Sequence, residues 1–264
     1  FSLGAANSSF SESTFKPTFT STVEDANAAG MVVSVSSGNE GLGPDGGQVT
    51  SPGTQFDSFT VGNVNEARNV NPSSSGAVIR DETVRRVLGE PVDLPDQFPR
   101  TFVKPDVSAA GTDVLSSGPL GGDIGDPAAT YSYSSGTSMA QPHIAGAAAL
   151  LQSVTDEQVP PKLIETALAE TAEKPSDAPG AQTERDIRYG TGIINVTAAA
   201  LALEGTQEIS GTVTSSAGGE ALVGATVETA EGGLTSARAG GNYTLYATSD
   251  PVDVTADAFG YEPE

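Results

Sequence analysis

Residues Gly136 to Gly146 read GTSMAQPHIAG and set a hydroxyl, Ser138, where an Ala-rich helix begins. A helix N-terminus carries free backbone N–H groups and the positive end of a dipole. That suits a nucleophilic hydroxyl and the oxyanion its attack on a carbonyl would create. Gly136 allows close backbone approach. Pro142 is expected in the first turn, where its missing N–H costs little. Ala140, Ala145 and Gly146 are small enough for the helix to pack closely. A serine hydroxyl also needs a base, and the base needs a partner to orient it. The sequence holds one histidine, His143. Five residues turn a helix by about 500°, which carries His143 off the Ser138 face, so a structural role is expected for it.

The eleven-residue run resembles the nucleophile segment of the subtilisin-like serine peptidases, the subtilases. It does not fit the Gly-x-Ser-x-Gly elbow, because Ala140 stands where the second Gly belongs. Val32 to Gly41, VVSVSSGNEG, reads as a strand ending in a turn. It resembles the family segment whose asparagine lends its side chain to the oxyanion hole, which here is Asn39. Ser2-Leu3-Gly4 resembles the strand that pairs with substrate backbone, and Ser37-Gly38 would form the opposite wall of the specificity pocket. The small residues there imply an open pocket for a large side chain. Lys104 to Gly111 resembles a structural Lys-Pro-Asp segment, with Ala110 where Pro is usual. Tyr189 to Asn195 resembles the segment that opens the last helix of the catalytic domain.

The resemblance spans about residues 1–205. It implies a serine endopeptidase working through an acyl-enzyme on polypeptide substrates, with Ser138 and Asn39 in the catalytic roles. The family order of Asp, His, then Ser puts the base and its partner upstream of Phe1. The chain is therefore expected to be the C-terminal part of a catalytic domain, inactive and marginally stable alone. A non-catalytic peptide-binding pseudoenzyme and a surface or adhesive protein are the alternatives; the intact Ser138 segment and Asn39 favour the peptidase. Calcium commonly stabilises such proteins. No residue is assigned as a metal ligand, and Gly121 to Asp126 is a candidate calcium loop in composition only.

These groups need elements to hold them. Strands alternating with helices predict an α/β fold of three layers around a mostly parallel sheet. Strands are expected at Phe1–Ala5, Met31–Ser36, Phe56–Val64 and Val103–Ser108. Helices are expected over Thr22–Ala29, Ser138–Gln152, from Pro161 onward, and over Asn195–Leu203. In the Pro161 helix, Ile164, Ala167, Leu168 and Thr171 share one face. Residues 80–100 carry Pro91, Pro95, Pro99 and many charges, and are expected to be a surface insertion.

Near residue 206 the pattern changes to short β-branched runs between Gly-rich turns. Strands are expected at Ile209–Thr214, Ala225–Glu228, Tyr243–Ala247 and Val252–Ala256, with no helix. Residues 207–264 thus form an expected small all-β sandwich. It resembles a carboxypeptidase regulatory-like domain that stops one strand early. The expected organisation is 1–206, catalytic part, and 207–264, accessory module.

Composition narrows the setting. The 264 residues include 34 acidic and 12 basic side chains, for a net charge of −22. With no basic patch to grip phosphate, nucleic-acid binding is excluded. Such a surface repels itself in dilute salt, and molar salt, with a Debye length of about 3 Å, removes the repulsion; a salt-loving source is expected. There is no cysteine, so neither disulfides nor thiolate metal sites. No apolar run of about 18 residues marks a membrane span. A secreted monomer is expected.

Overall fold

The computed structural model describes residues 2–3, 15–42, 48–80, 84, 98–117, 131–154, 158–178, 184–205, 207–230, 232–248, 252–258 and 260–261. Its central sheet takes β1 (Ser2–Leu3), β2 (Ser34–Ser36), β3 (Phe59–Val64) and β6 (Val107–Ala110) in the order β1-β2-β3-β6. All three pairings are parallel. Such strands are covered on both faces, so they read as continuous apolar or small residues: β2 and β3 are buried at every position.

Helix α1 (Pro17–Ala28) covers one face, with Val23 packed on Val33 and Val35. Helix α2 (Thr137–Ser153) covers the other, where Ile144, Ala147 and Leu151 meet Phe59, Val61, Val107 and Ala109. Helix α3 (Pro161–Glu170) adds Ile164, Ala167 and Leu168 to this core, and α4 (Val196–Leu203) adds Ala199. Each large buried aliphatic side chain is worth about 1.5–3 kcal/mol of transfer free energy. The three-layer arrangement is the expected one. Helix α1 begins five residues earlier than the sequence pattern indicates, because Pro17 sits in its first turn with a preset φ.

The insertion over 80–100 needs correcting at its flanks. β4 (Ala77–Arg80) and β5 (Thr101–Lys104) pair antiparallel on either side of it. Val84 and Phe98 are buried, in a second core with Phe15, Val49, Phe56, Ile79 and Phe102. Phe98 meets Phe15 and Phe102 edge-to-face at 5.4 and 5.6 Å. The prolines and charges that suggested pure surface conceal these two anchors; residues 81–83 and 85–97 lie outside the described set. A hairpin, β7 (Val114–Ser117) with β8 (Tyr131–Ser134), follows β6 and leads into α2.

The C-terminal part is antiparallel. β9 (Gln207–Thr212) pairs with β12 (Asn242–Ala247). β10 (Thr226–Thr229) lies between β11 (Leu234–Ser236) and β13 (Val254–Asp257). Strand β11 and a 3₁₀ turn at Ala239–Gly241 were not expected. Three residues flanked by glycine are too short to show a period.

Candidate active site

Ser138 is the second residue of α2 and is exposed. The turn before it depends on Gly136, at φ 152°, where a Cβ would sit 3.2 Å from Asn39 Oδ1. Gly136 N–H donates to Gly111 O at 2.7 Å, fastening the helix entry to the end of β6. Beneath, Gln141 Nε2 donates to Ser34 Oγ at 2.6 Å and ties the first turns to β2.

Asn39 is exposed in the turn after β2. Its Oδ1 accepts from Thr137 N–H at 2.9 Å. Thr137 Oγ1, fully buried, lies 3.2 Å from Asn39 Oδ1 and from both N and O of Gly38. Residues 98 apart in sequence thus meet at the helix entry. Gly136, the residue at the N-cap position, has no side chain to cap α2, and Asn39 supplies the missing acceptor from another strand. With Oδ1 occupied, Asn39 Nδ2 is left to donate outward; among the described residues it has no protein acceptor. The Ser138 N–H is a first-turn amide with no carbonyl inside the helix to accept it.

Thr137 is the residue that sequence reasoning passed over. Its place next to Ser138 was visible, but its clamp on Gly38 and Asn39 depends on chain segments far apart. Pro142 is a correction: it lies in the second turn of a helix that starts at Thr137. Its absent N–H leaves the Ser138 carbonyl without its i+4 donor. His143 is exposed, and its Nδ1 lies 3.0 Å from Met139 O, one turn back on its own helix.

Ser37 and Gly38 are buried. A Cβ on Gly38 would meet Glu40 Oε2 at 2.6 Å, Thr50 Oγ1 at 3.0 Å and Ser75 Oγ at 3.1 Å, so what this turn presents is backbone. Ser2 and Leu3 pair with Ser34 and Val35 at the sheet edge. Their side chains, Gly4, and the candidate loop Gly121 to Asp126 lie outside the described residues. Among the described residues no group of three or more His, Asp or Glu side chains could hold a metal ion.

The Lys-Pro-Asp segment lies deep. Lys104, 1% exposed, donates from Nζ to Asp106 Oδ2 at 2.7 Å and to the carbonyls of Phe56 and Ser58. Burial pushes its pKa below the usual lysine value, and the Asp106 carboxylate only partly opposes this. Asp106 Oδ2 also accepts from Thr60 N–H on β3 at 2.7 Å. Asn195 caps α4 through Ala198 N–H at 3.0 Å.

The family model described as the Subtilase family matches residues 2–192. The chain is similar to a subtilisin of Bacillus pumilus, 31% identical over 183 residues, covering 67% of this chain and 50% of that protein. It is 42% identical over 98 residues to an extracellular protease of Xanthomonas campestris pv. campestris, covering 37% and 16%. It is 32% identical over 142 residues to a subtilisin-like protease of Arabidopsis thaliana, covering 50% and 20%. The chain therefore spans half or less of the length of these relatives. In fold it is similar to the prenylagaramide maturation protease PagA, with a TM-score of 0.51 at 19% identity over 74% of this chain and 59% of that one.

Proposed function

The chain belongs to the subtilase family, and from that premise we propose that it carries the nucleophile half of a serine endopeptidase site. Ser138 Oγ attacks the scissile carbonyl. The oxyanion that forms accepts hydrogen bonds from Asn39 Nδ2 and Ser138 N–H. Collapse expels the amine and leaves an acyl-enzyme, which water then releases. The observation that carries this reading is the 2.9 Å bond from Thr137 N–H to Asn39 Oδ1. It holds the asparagine with its amide donor free, beside the serine at a helix N-terminus.

The base and its orienting carboxylate come from residues outside these 264. His143, committed to its own helix, does not serve, so the chain by itself hydrolyses peptides negligibly. Polypeptides are the substrates, with Ser2–Gly4 and Ser37–Gly38 as the walls that hold them. Residues 1–206 form the catalytic part. Residues 207–264 form a carboxypeptidase regulatory-like accessory module, a reading supported by the antiparallel pairing of β9 to β13. The protein acts as a secreted monomer.

A fluorophosphonate probe applied to the whole protein tests the nucleophile. Labelling should fall on Ser138 and vanish in Ser138→Ala, with hydrolysis down by roughly 10⁶-fold in turnover. A folded whole protein that takes no label would sink the peptidase and favour non-catalytic peptide binding. The net charge of −22 supports a salt-loving setting. The unfolding midpoint should rise between 0.1 and about 2 M KCl as repulsion is screened; a flat response would remove that part.

A further inference from the structure

We propose that the module of residues 207–261 is no tethered appendage but a docked part of the catalytic unit, held by a two-point latch at Glu170 and Arg185. The inference rests on packing alone, and stands or falls independently of what Ser138 does.

The first point is the last residue of α3. The Glu170 carboxylate accepts three bonds, all from the module: Thr229 Oγ1 at 2.6 Å, Thr248 N–H at 2.7 Å and Thr248 Oγ1 at 2.7 Å. One carboxylate thus joins β10 to the end of β12. A flexibly linked domain has no reason to aim three donors from two of its strands at one side chain of its neighbour.

The second point is Arg185, whose side chain is 6% exposed. Its Nη1 donates to Asp106 Oδ1 at 2.8 Å, and its Nη2 donates to Gly232 O in the β10–β11 turn at 2.8 Å. Its Nε lies 3.8 Å from Glu228 Oε1 on β10. Asp106 passes the connection to the sheet through Thr60 N–H. A buried guanidinium needs all its partners, since the charge has left water. The module supplies one hydrogen-bond acceptor, Gly232 O, and one opposite charge, Glu228, which Nε faces without a hydrogen bond.

The turn between these points is shaped to enter. Gly232 has φ +103°, and a Cβ there would lie 2.5 Å from Thr191 Cγ2. A Cβ on Gly233 would lie 2.6 Å from Glu170 Oε1. Only glycines allow both approaches. The next residue, Leu234, packs on the phenylalanine core formed around Phe56 and Phe102. The turn is thus a plug with a polar collar and an apolar tip, and the surface it fits belongs to the catalytic part of this same chain.

Hydrogen exchange on the whole protein in molar KCl, read by mass spectrometry, tests the latch. Protection in β10 and β12 should match that in β3 and β6 within about threefold, because one cooperative unit opens once. Glu170→Ala should raise exchange in β10 and β12 by at least about tenfold. Glu204→Ala, at the exposed end of α4, should leave it unchanged. A module that exchanges about tenfold faster than the sheet in the unaltered chain overturns the proposal. So does a Glu170→Ala pattern indistinguishable from that of Glu204→Ala. Should Glu170→Ala fail to fold, the unaltered chain decides alone.

Discussion

The entry to α2 and the seam at Arg185 are both made by glycine turns pinned with hydrogen bonds, yet they handle charge in opposite ways. At the entry, the side chains of Asn39 and Thr137 are fixed by amide, hydroxyl and backbone groups, the Glu40 carboxylate accepts the Asn39 backbone N–H at 2.9 Å, and Ser138 and Asn39 are exposed. At the seam, Lys104, Asp106 and Arg185 are buried and depend on one another. Uncharged side-chain fixings leave a site whose donors are held in place and uncommitted, ready for a charge that appears only during a reaction. Buried charges have already spent their fields on each other, so they set stability and geometry. Damage at the entry should therefore appear in rate, and damage at the seam in folding.

Asp106→Ala gives the hardest test of that division. It removes the acceptor for Lys104 Nζ, Arg185 Nη1 and Thr60 N–H together, taking the paired carboxylate from buried Lys104 and leaving Arg185 the more distant Glu228 at 3.8 Å. The loss should be about 3–5 kcal/mol, seen as a lower urea midpoint at unchanged slope. A loss below about 1 kcal/mol would show that the seam behaves as a surface pair, and the contrast would fail.

Asn39→Asp sharpens the other side. Aspartate keeps an acceptor for Thr137 N–H at a helix N-terminus, so the thermal midpoint should hold or rise. It loses the Nδ2 donor and sets a negative charge beside the oxyanion. In the whole protein kcat should fall by at least about 10²–10³-fold, the worth of one oxyanion donor. Equal effects on stability and rate would mean that Asn39 serves only as a cap.

The smallest effect belongs to Glu228. Burial raises its pKa above the ordinary carboxylate value, and Arg185 only partly offsets this. Its folded pKa therefore exceeds its unfolded one, so its contribution is fully present below the unfolded value, about 4.5, and is lost as pH rises through the folded one. The difference in unfolding free energy, unaltered chain minus Glu228→Gln, should fall as pH rises from about 4.5 toward neutral. Comparing the two chains cancels the general repulsion of the acidic surface. A difference that rises with pH would mean that pairing with Arg185 outweighs burial.

Much of this molecule could be read from short stretches of sequence. The helix at Pro161 and the cap at Asn195 are local decisions, set by one residue's φ or one side chain's reach along its own backbone. The parallel strands β2 and β3 showed themselves through unbroken small and β-branched runs, since both of their faces are covered. The strand expected over Val103–Ser108 is instead divided between β5, antiparallel to β4, and β6, parallel to β3. The nucleophile segment of the family was legible because its chemistry needs a serine, a glycine and a helix start in immediate succession.

What tertiary structure alone decided is everything that depends on meeting across distance. Sequence could name Asn39 but not that its Oδ1 replaces the missing cap of α2, because Thr137 and Asn39 become neighbours only once β2 and α2 pack. Residues 80–100 read as surface, because their prolines and charges outnumber the two residues, Val84 and Phe98, that enter a core assembled from five other segments. The module read as separate, because a change in composition marks where a pattern ends and carries no information on docking. Propensity and period act over one or two turns. Charge pairing, capping from another strand and the seating of a glycine turn exist only where folding brings their partners together.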